Sequence, residues 1–429
     1  MLSRMDGLTK NQRDFQSLCG DFVDNEVIPW MRANREREWG GAPEDRWPQE
    51  LLSKADQIGL RTLGIPEDHG GVPLDTLTQV LMVEELGRGD PGFTTTIVQN
   101  WKVAAEFARH ASQELAEEWF GRFTSDTGFL WANCLTEPRG ASDRVLPYDA
   151  PEASMQTRAR LDGDEWVIDG VKHFVSNGAN ASAFIVYANT DPSAGIRDGV
   201  SSFLVGREAP GFSVGRVNEK LGHRMVLNAE LVMEGCRVPQ GHLLVENTAL
   251  RRAGSYLLGG RVLNAARALG VMQSAFDDSA HYTQNHFHGG KLIIKHQVVA
   301  ARLADMATAL ETARAITYRA ARAIDAGNDD APQLALMAKL HCSEAVFDLA
   351  RAAMELHGGA GVIVDAGIEK HLRDATIFGH TEGTADMQRF KIIKAMFPDT
   401  AGVYAGPDPV LGPDGSVRPG TIGREEKSG

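Results

Sequence analysis

The residues best able to do chemistry lie late in the chain, in Thr381-Glu382-Gly383-Thr384. A glutamate removes a weakly acidic proton only when its pKa is raised, and an apolar cleft raises it. Thr384 reads as a helix N-cap, with Met387, Phe390, Ile393 and Met396 following at helical spacing. The N-terminal end of that helix favours the anion and so pulls the other way. Taken alone, Glu382 reads more simply as an acid that offsets the helix dipole. Gly358-Gly359 permits close backbone approach to a ligand, although an isolated pair more often ends a helix. Arg139 carries a guanidinium that grips carboxylate or phosphate, and as a lone loop residue it is more often solvated. His281, His286, His288 and His296 match no common ligand spacing, so no metal is expected.

Three stretches of different periodicity must position these groups. Residues 1–130 are mostly helical, with apolar stripes at Phe15, Leu18, Phe22 and Val27 and at Val80, Leu81, Val83 and Leu86. Residues 131–245 shorten to strand-like runs such as Phe184-Ile185-Val186-Tyr187 and Ser202-Phe203-Leu204-Val205. Asp169-Gly170, between two such runs, predicts a two-residue hairpin, and the region predicts a compact antiparallel β domain. Residues 246–400 return to long helices, with seams at Val299, Leu303, Met306, Leu310 and Ala313 and at Leu336, Leu340, Phe347, Ala350 and Met354. Such seams build a bundle and can bury a subunit interface. Residues 401–429 form a Gly- and Pro-rich tail.

With 429 residues, 43% of them hydrophobic, the chain can bury the cores of two or three domains. A net charge of −13 without basic runs interleaved with aromatics excludes nucleic acid as a partner. Four scattered cysteines form no CxxC pair and point to a reducing compartment. The N-terminal residues lack an apolar signal core, and no apolar run is long enough for a bilayer; a soluble cytoplasmic protein without membrane insertion is expected.

Five segments, in order, resemble the acyl-CoA dehydrogenase family. They are Gly64–Gly71, Leu135–Asp143, Asp169–Gly178, Leu356–Gly361, and Arg373-Asp374-Ala375 followed by Thr381–Thr384. The resemblance spans everything but the terminal tails. It implies an α+β multidomain chain, mainly α: an N-terminal helical domain, a middle antiparallel β domain and a C-terminal four-helix bundle. It further implies FAD, an acyl-CoA substrate, an electron-transfer flavoprotein as acceptor, and a homotetramer or homodimer. Glu382 then stands where the family has the base that takes the α-proton while the β-hydride passes to flavin N5. Members that carry the base elsewhere have it immediately before the position of Arg261, where this chain has Gly259-Gly260. By the same resemblance Thr136, Ser142, Phe174 and Ser176 meet the flavin, and Gly358 and Gly359 its diphosphate. Thr384 bonds to FAD, and Gln297 lies near the FAD of a neighbouring subunit. Arg261, Arg139 and Thr381 fall on the substrate side.

Departures from the family pattern matter too. His286-Phe287-His288-Gly289-Gly290 replaces an Arg-x-x-Phe-Gly segment before a helix expected to begin near Lys291. Glu355 replaces a glutamine, and the loop from Arg144 to Glu152 is long. Thr381 stands where many members have tyrosine, which leaves room for a branched or cyclic acyl group. Alternatives on the same scaffold are an acyl-CoA oxidase, a dehydrogenase of carrier-protein thioesters, and a non-catalytic member.

Overall fold

Polar caps punctuate the N-terminal helices. Thr9 and Gln12 form a reciprocal capping box at the start of α1 (Lys10–Phe22). A π turn leads to α2 (Ile28–Ala33), and α3 (Gln49–Gln57) follows. Asp75 caps α4 (Thr76–Gly89), Asp90 caps α5 (Pro91–His110) and Ser112 caps α6 (Gln113–Ser125). The computed structural model describes residues 7–139, 151, 154–397, 410–411 and 417–418. Ser142, nearly all of the stretch from Arg144 to Glu152, and most of the tail lie outside the described residues.

The middle region is one eight-stranded sheet. Its strands are β1 (Trp131–Cys134), β2 (Arg158–Asp162), β3 (Glu165–Val175), β4 (Ala183–Asn189), β5 (Val200–Gly206), β6 (Phe212–Val217), β7 (Ala229–Pro239) and β8 (Leu243–Val245). They run β6-β7-β3-β2-β4-β5-β8, with β1 beside β4. Most pairings are antiparallel as expected, but β1 and β2 both run parallel to β4. Asp169-Gly170 does not turn the chain. β3 passes straight through it, and its register against β7 shifts between Ile168 and Gly170, so the pair marks a bulge. The hairpin lies upstream at Gly163-Asp164, between the paired Asp162 and Glu165. β4 is buried along its whole length because alternate side chains enter two cores. Ala183, Ile185 and Tyr187 join an aromatic-rich core with Phe107, Trp119, Phe120 and Trp131, while Phe184 and Val186 join the main core.

The chain then becomes helical again. A short α7 (Ala249–Arg252) precedes α8 (Gly254–Asn285), and a hairpin of β9 (Phe287–His288) and β10 (Lys291–Leu292) follows. The expected helix start near Lys291 is therefore late by a turn or more: α9 spans Gln297–Asp325. Gly289-Gly290, at φ 61° and 79°, makes the two-residue turn that sends these residues into a strand pair instead. α10 (Ala331–Leu356), α11 (Glu369–Phe378) and α12 (Ala385–Met396) complete the bundle, with α10 packed on all the other helices of this region except α7. In the first seam Met306, Leu310 and Ala313 are buried. The second seam holds in part: Leu336 and Ala350 are buried, but Phe347 is exposed, and α10 also buries Leu334, Ala338, Cys342, Val346 and Leu349. α10 is apolar on several sides, so sequence spacing does not single out the packed one.

Candidate active site

Three elements meet at Glu382. The residue sits in the tight turn between α11 and α12 at φ 54°, a left-handed conformation that costs a side-chain-bearing residue about 1–3 kcal/mol. Its surroundings hold it there. Gln388, buried on α12, donates its amide to the carbonyls of Glu382 and Gly383, both at 3.1 Å. Lys339 on α10 donates to the Gly383 carbonyl at 2.6 Å. Thr384 caps α12 by accepting from the Met387 N–H at 3.4 Å, as its sequence position predicts.

The Glu382 carboxylate faces α5 and α8. It forms an ion pair with Lys102 of α5, and the two side chains are only 20% and 7% exposed. On α8 the backbone at Gly260 leaves space for this pair. A Cβ there would stand 2.7 Å from Lys102 Nζ and 2.8 Å from Glu382 Oε2. Arg261 follows on the same helix, half-buried, near enough for its charge to act on Lys339. Burial pushes the Lys339 amine down to about 8, against the pull of Glu382. Thr381 donates to Asn264 Oδ1 at 3.1 Å, Arg267 donates to the same oxygen at 2.7 Å, and Arg267 also reaches the Thr95 hydroxyl. Burial lowers the Arg267 guanidinium to about 10, with Glu382 opposing.

A second cluster forms at the end of β3. The Thr136 carbonyl accepts from the His173 N–H at 2.8 Å, which lays the Thr136 loop beside this strand. Asn228 donates to the Phe174 carbonyl at 2.9 Å and to the Ser176 hydroxyl at 3.2 Å. Phe174 has φ 57° and is 60% exposed, and its strained backbone presents an aromatic ring that rests on His173 with centroids 4.6 Å apart. Asn177 then reaches the Trp131 carbonyl at 3.1 Å and the Thr96 carbonyl of α5 at 3.5 Å. From Thr96 to Lys102 is about 9 Å along the helix axis. The aromatic cradle and the carboxylate are thus placed by one helix.

The remaining expected residues fall elsewhere. Gln297 begins α9, exposed, and Gly358 and Gly359 follow the end of α10, also exposed. These two ends meet where Arg302 of α9 bonds Glu355 at 2.7 Å. Arg139 is exposed at the edge of the Thr-Glu-Pro loop. Of the histidines, His286 stacks on Tyr282 with ring centroids 4.6 Å apart, and His296 bonds the His288 carbonyl at 3.1 Å.

Sequence reasoning missed Lys102, Lys339 and Gln388, and it missed why two motifs go together. Glu137 and Lys172 form a buried ion pair at 2.7 Å, with side chains 2% and 0% exposed. Burial alone would raise the Glu137 carboxyl, yet Lys172 and the N–H groups of Gln156 and Thr157 hold it below its ordinary value. Likewise Asp374 accepts from the His223 N–H at 2.6 Å and pairs with Lys370 of its own helix at 2.7 Å, so this motif joins the connection between β6 and β7 to α11. A lysine inside the apolar run Trp101–Ala105 was the one visible signal of Lys102.

Comparison with known proteins places this arrangement. Residues 9–127, 132–236 and 250–397 match the N-terminal, middle and C-terminal domain models of acyl-CoA dehydrogenases. The chain belongs to the acyl-CoA dehydrogenase family. It is 33% identical over 387 residues to the mitochondrial short-chain specific acyl-CoA dehydrogenase of Sus scrofa, covering 90% of each chain. Among solved structures it is similar to butyryl-CoA dehydrogenase from Megasphaera elsdenii, with a TM-score of 0.82, 29% identity, and coverage of 92% of this chain and 100% of that one. The FAD complex of PigA has a TM-score of 0.82 at 26% identity, covering 91% of this chain and 99% of that one. This acyl-CoA dehydrogenase is therefore a flavin-dependent oxidoreductase with FAD as its cofactor. The exposed Phe174 ring, with Asn228 bonding both its carbonyl and the Ser176 hydroxyl, is of a kind that fits the flat face of a flavin. Among the described residues no helix is long and apolar enough to cross a membrane.

Proposed function

We propose that this acyl-CoA dehydrogenase desaturates an acyl-CoA thioester between its α and β carbons, with Glu382 as the base. The observation that supports this most is a carboxylate held in a left-handed turn, largely out of water, and paired with Lys102 of α5, the helix that Asn177 also joins to the Phe174 segment. An α-proton is too weakly acidic for a carboxylate in water, so the base must work in a dry, preorganised cleft. Gln388 and Lys339 fix the turn, Gly260 gives the carboxylate its space, and the walls of α5 and α8 exclude solvent. Bound FAD supplies a hydride acceptor for the β carbon. Phe174, Thr136, Ser142 and Ser176 would hold it, and Thr384, Gly358, Gly359 and Gln297 would serve its remaining parts, Gln297 across a subunit boundary. Arg261, Arg139 and Thr381 act on the thioester side. Electrons leave to an electron-transfer flavoprotein.

Anaerobic mixing with a panel of linear, branched and cyclic acyl-CoA thioesters tests this reading. Bleaching of the flavin absorbance with formation of the 2-enoyl product is expected, followed by slow reoxidation in air. No bleaching by any thioester overturns the dehydrogenase reading, and rapid reoxidation in air makes the chain an oxidase.

A further inference from the structure

Lys102 is the feature this chemistry leaves unexplained. Its ammonium touches the very carboxylate that is to act as base, and a neighbouring cation stabilises a carboxylate as the anion. It also lines a cavity of about 540 Å³ between α5, α8 and the loop at Leu63–Leu74. Most of that wall is apolar, including Trp101, Ala105, Leu258 and Leu263. Its charged members are Lys102 and Arg109, and no carboxylate lines it among the described residues. The Tyr256 ring lies 4.5 Å from Lys102 Nζ and completes the cationic pocket.

The proton transfer itself creates the problem. When Glu382 takes the α-proton it becomes neutral, and Lys102 is left as a buried ammonium without its counter-ion. Leaving one partner of a buried pair uncompensated is strongly unfavourable. An apolar acyl chain makes this worse by drying the cavity. An acyl chain that carries its own carboxylate removes the difficulty, because the ammonium passes from Glu382 to the substrate. The base is then released from its ion pair by the substrate it is meant to attack.

We propose that Lys102 selects acyl thioesters whose acyl chain bears a carboxylate, which takes over the ammonium from Glu382 when the substrate is seated. This rests on Glu382 being the base. Lys102 contacts Glu382 directly, so the substrate carboxylate lies within about two hydrogen-bond lengths, ~6 Å, of the reacting carbons. A short diacyl chain meets that distance.

The test uses the FAD-loaded protein with hexanoyl-CoA and adipyl-CoA, which match in length and differ in the terminal carboxylate. Second-order rates of anaerobic bleaching and equilibrium binding to the Glu382→Gln variant are both read. The wild type is expected to favour adipyl-CoA roughly 10- to 100-fold, the worth of one charge-assisted hydrogen bond. Lys102→Met removes or reverses that preference by slowing adipyl-CoA far more than hexanoyl-CoA, and Lys102→Arg keeps it. A wild type that favours hexanoyl-CoA or shows no preference overturns the proposal while leaving the base intact. Equal losses for both thioesters in Lys102→Met also overturn it, since they mark a structural role. Absence of bleaching by either thioester in the wild type removes the base reading and this proposal with it.

Discussion

Gly260 and Glu382 lie on different elements, yet the space beside one holds the carboxylate of the other. That contact makes a prediction with opposite signs. Gly260→Ala adds a better helix former inside α8, worth up to about 1 kcal/mol of stability. Its methyl group also displaces the Glu382 carboxylate and the Lys102 ammonium. The variant is expected to melt no lower than the wild type, to keep its FAD, and to bleach at least ~10-fold more slowly because small misplacements of a catalytic group are costly. An unchanged bleaching rate counts against the placement of Glu382. At this scale the sequence was partly legible. Glu382 and its cap Thr384 stood out inside their motif, since both act within one short stretch. Lys102, Lys339 and Gln388 did not, because their roles exist only once α5, α10 and α12 converge on that turn.

Some motif residues act by joining elements. Glu137 follows β1 and Lys172 lies within β3, and their buried pair fixes the Thr136 loop beside the strand that carries Phe174 and leads into Ser176. Lys172→Met leaves the Glu137 carboxylate buried without its cation, so a loss of about 3–5 kcal/mol is expected in chemical denaturation. FAD should leave before the chain unfolds, and Glu137→Gln added to Lys172→Met should restore part of the loss. A single variant that retains FAD with full stability argues against this clamp. Strand and helix existence followed from periodicity, but turns were harder to read. Asp169-Gly170 has the residues of a hairpin turn and makes a bulge, because β3 continues to pair with β7 on both sides of it. Gly289-Gly290 does turn the chain, and no periodicity flanks it to show that.

The whole molecule follows the expected helix–sheet–helix order, and its surface carries a further expectation. Phe390, Ile393, Met396 and Phe397 leave apolar side chains exposed along α12, and Phe347 does so on α10. Phe390, Ile393 and Met396 belong to the stripe read from the sequence at helical spacing, and they stay exposed among the described residues of one chain. We propose that a homodimer or homotetramer buries this stripe, in keeping with the cofactor contacts proposed for the exposed ends of α9 and α10. Sedimentation is expected to show a species heavier than the 46.5 kDa chain, and Ile393→Asp with Met396→Asp should shift it toward that mass. A wild type that sediments as a single chain contradicts this.

The most direct measurement is anaerobic single turnover of Glu382→Gln beside the wild type, each loaded with FAD and mixed with the thioester that bleaches the wild type fastest. The amide keeps the size of the side chain and cannot accept the α-proton. Retained yellow FAD, retained thioester binding and a bleaching rate lower by at least ~1000-fold are the expected result. Bleaching at the wild-type rate would contradict proton abstraction by Glu382.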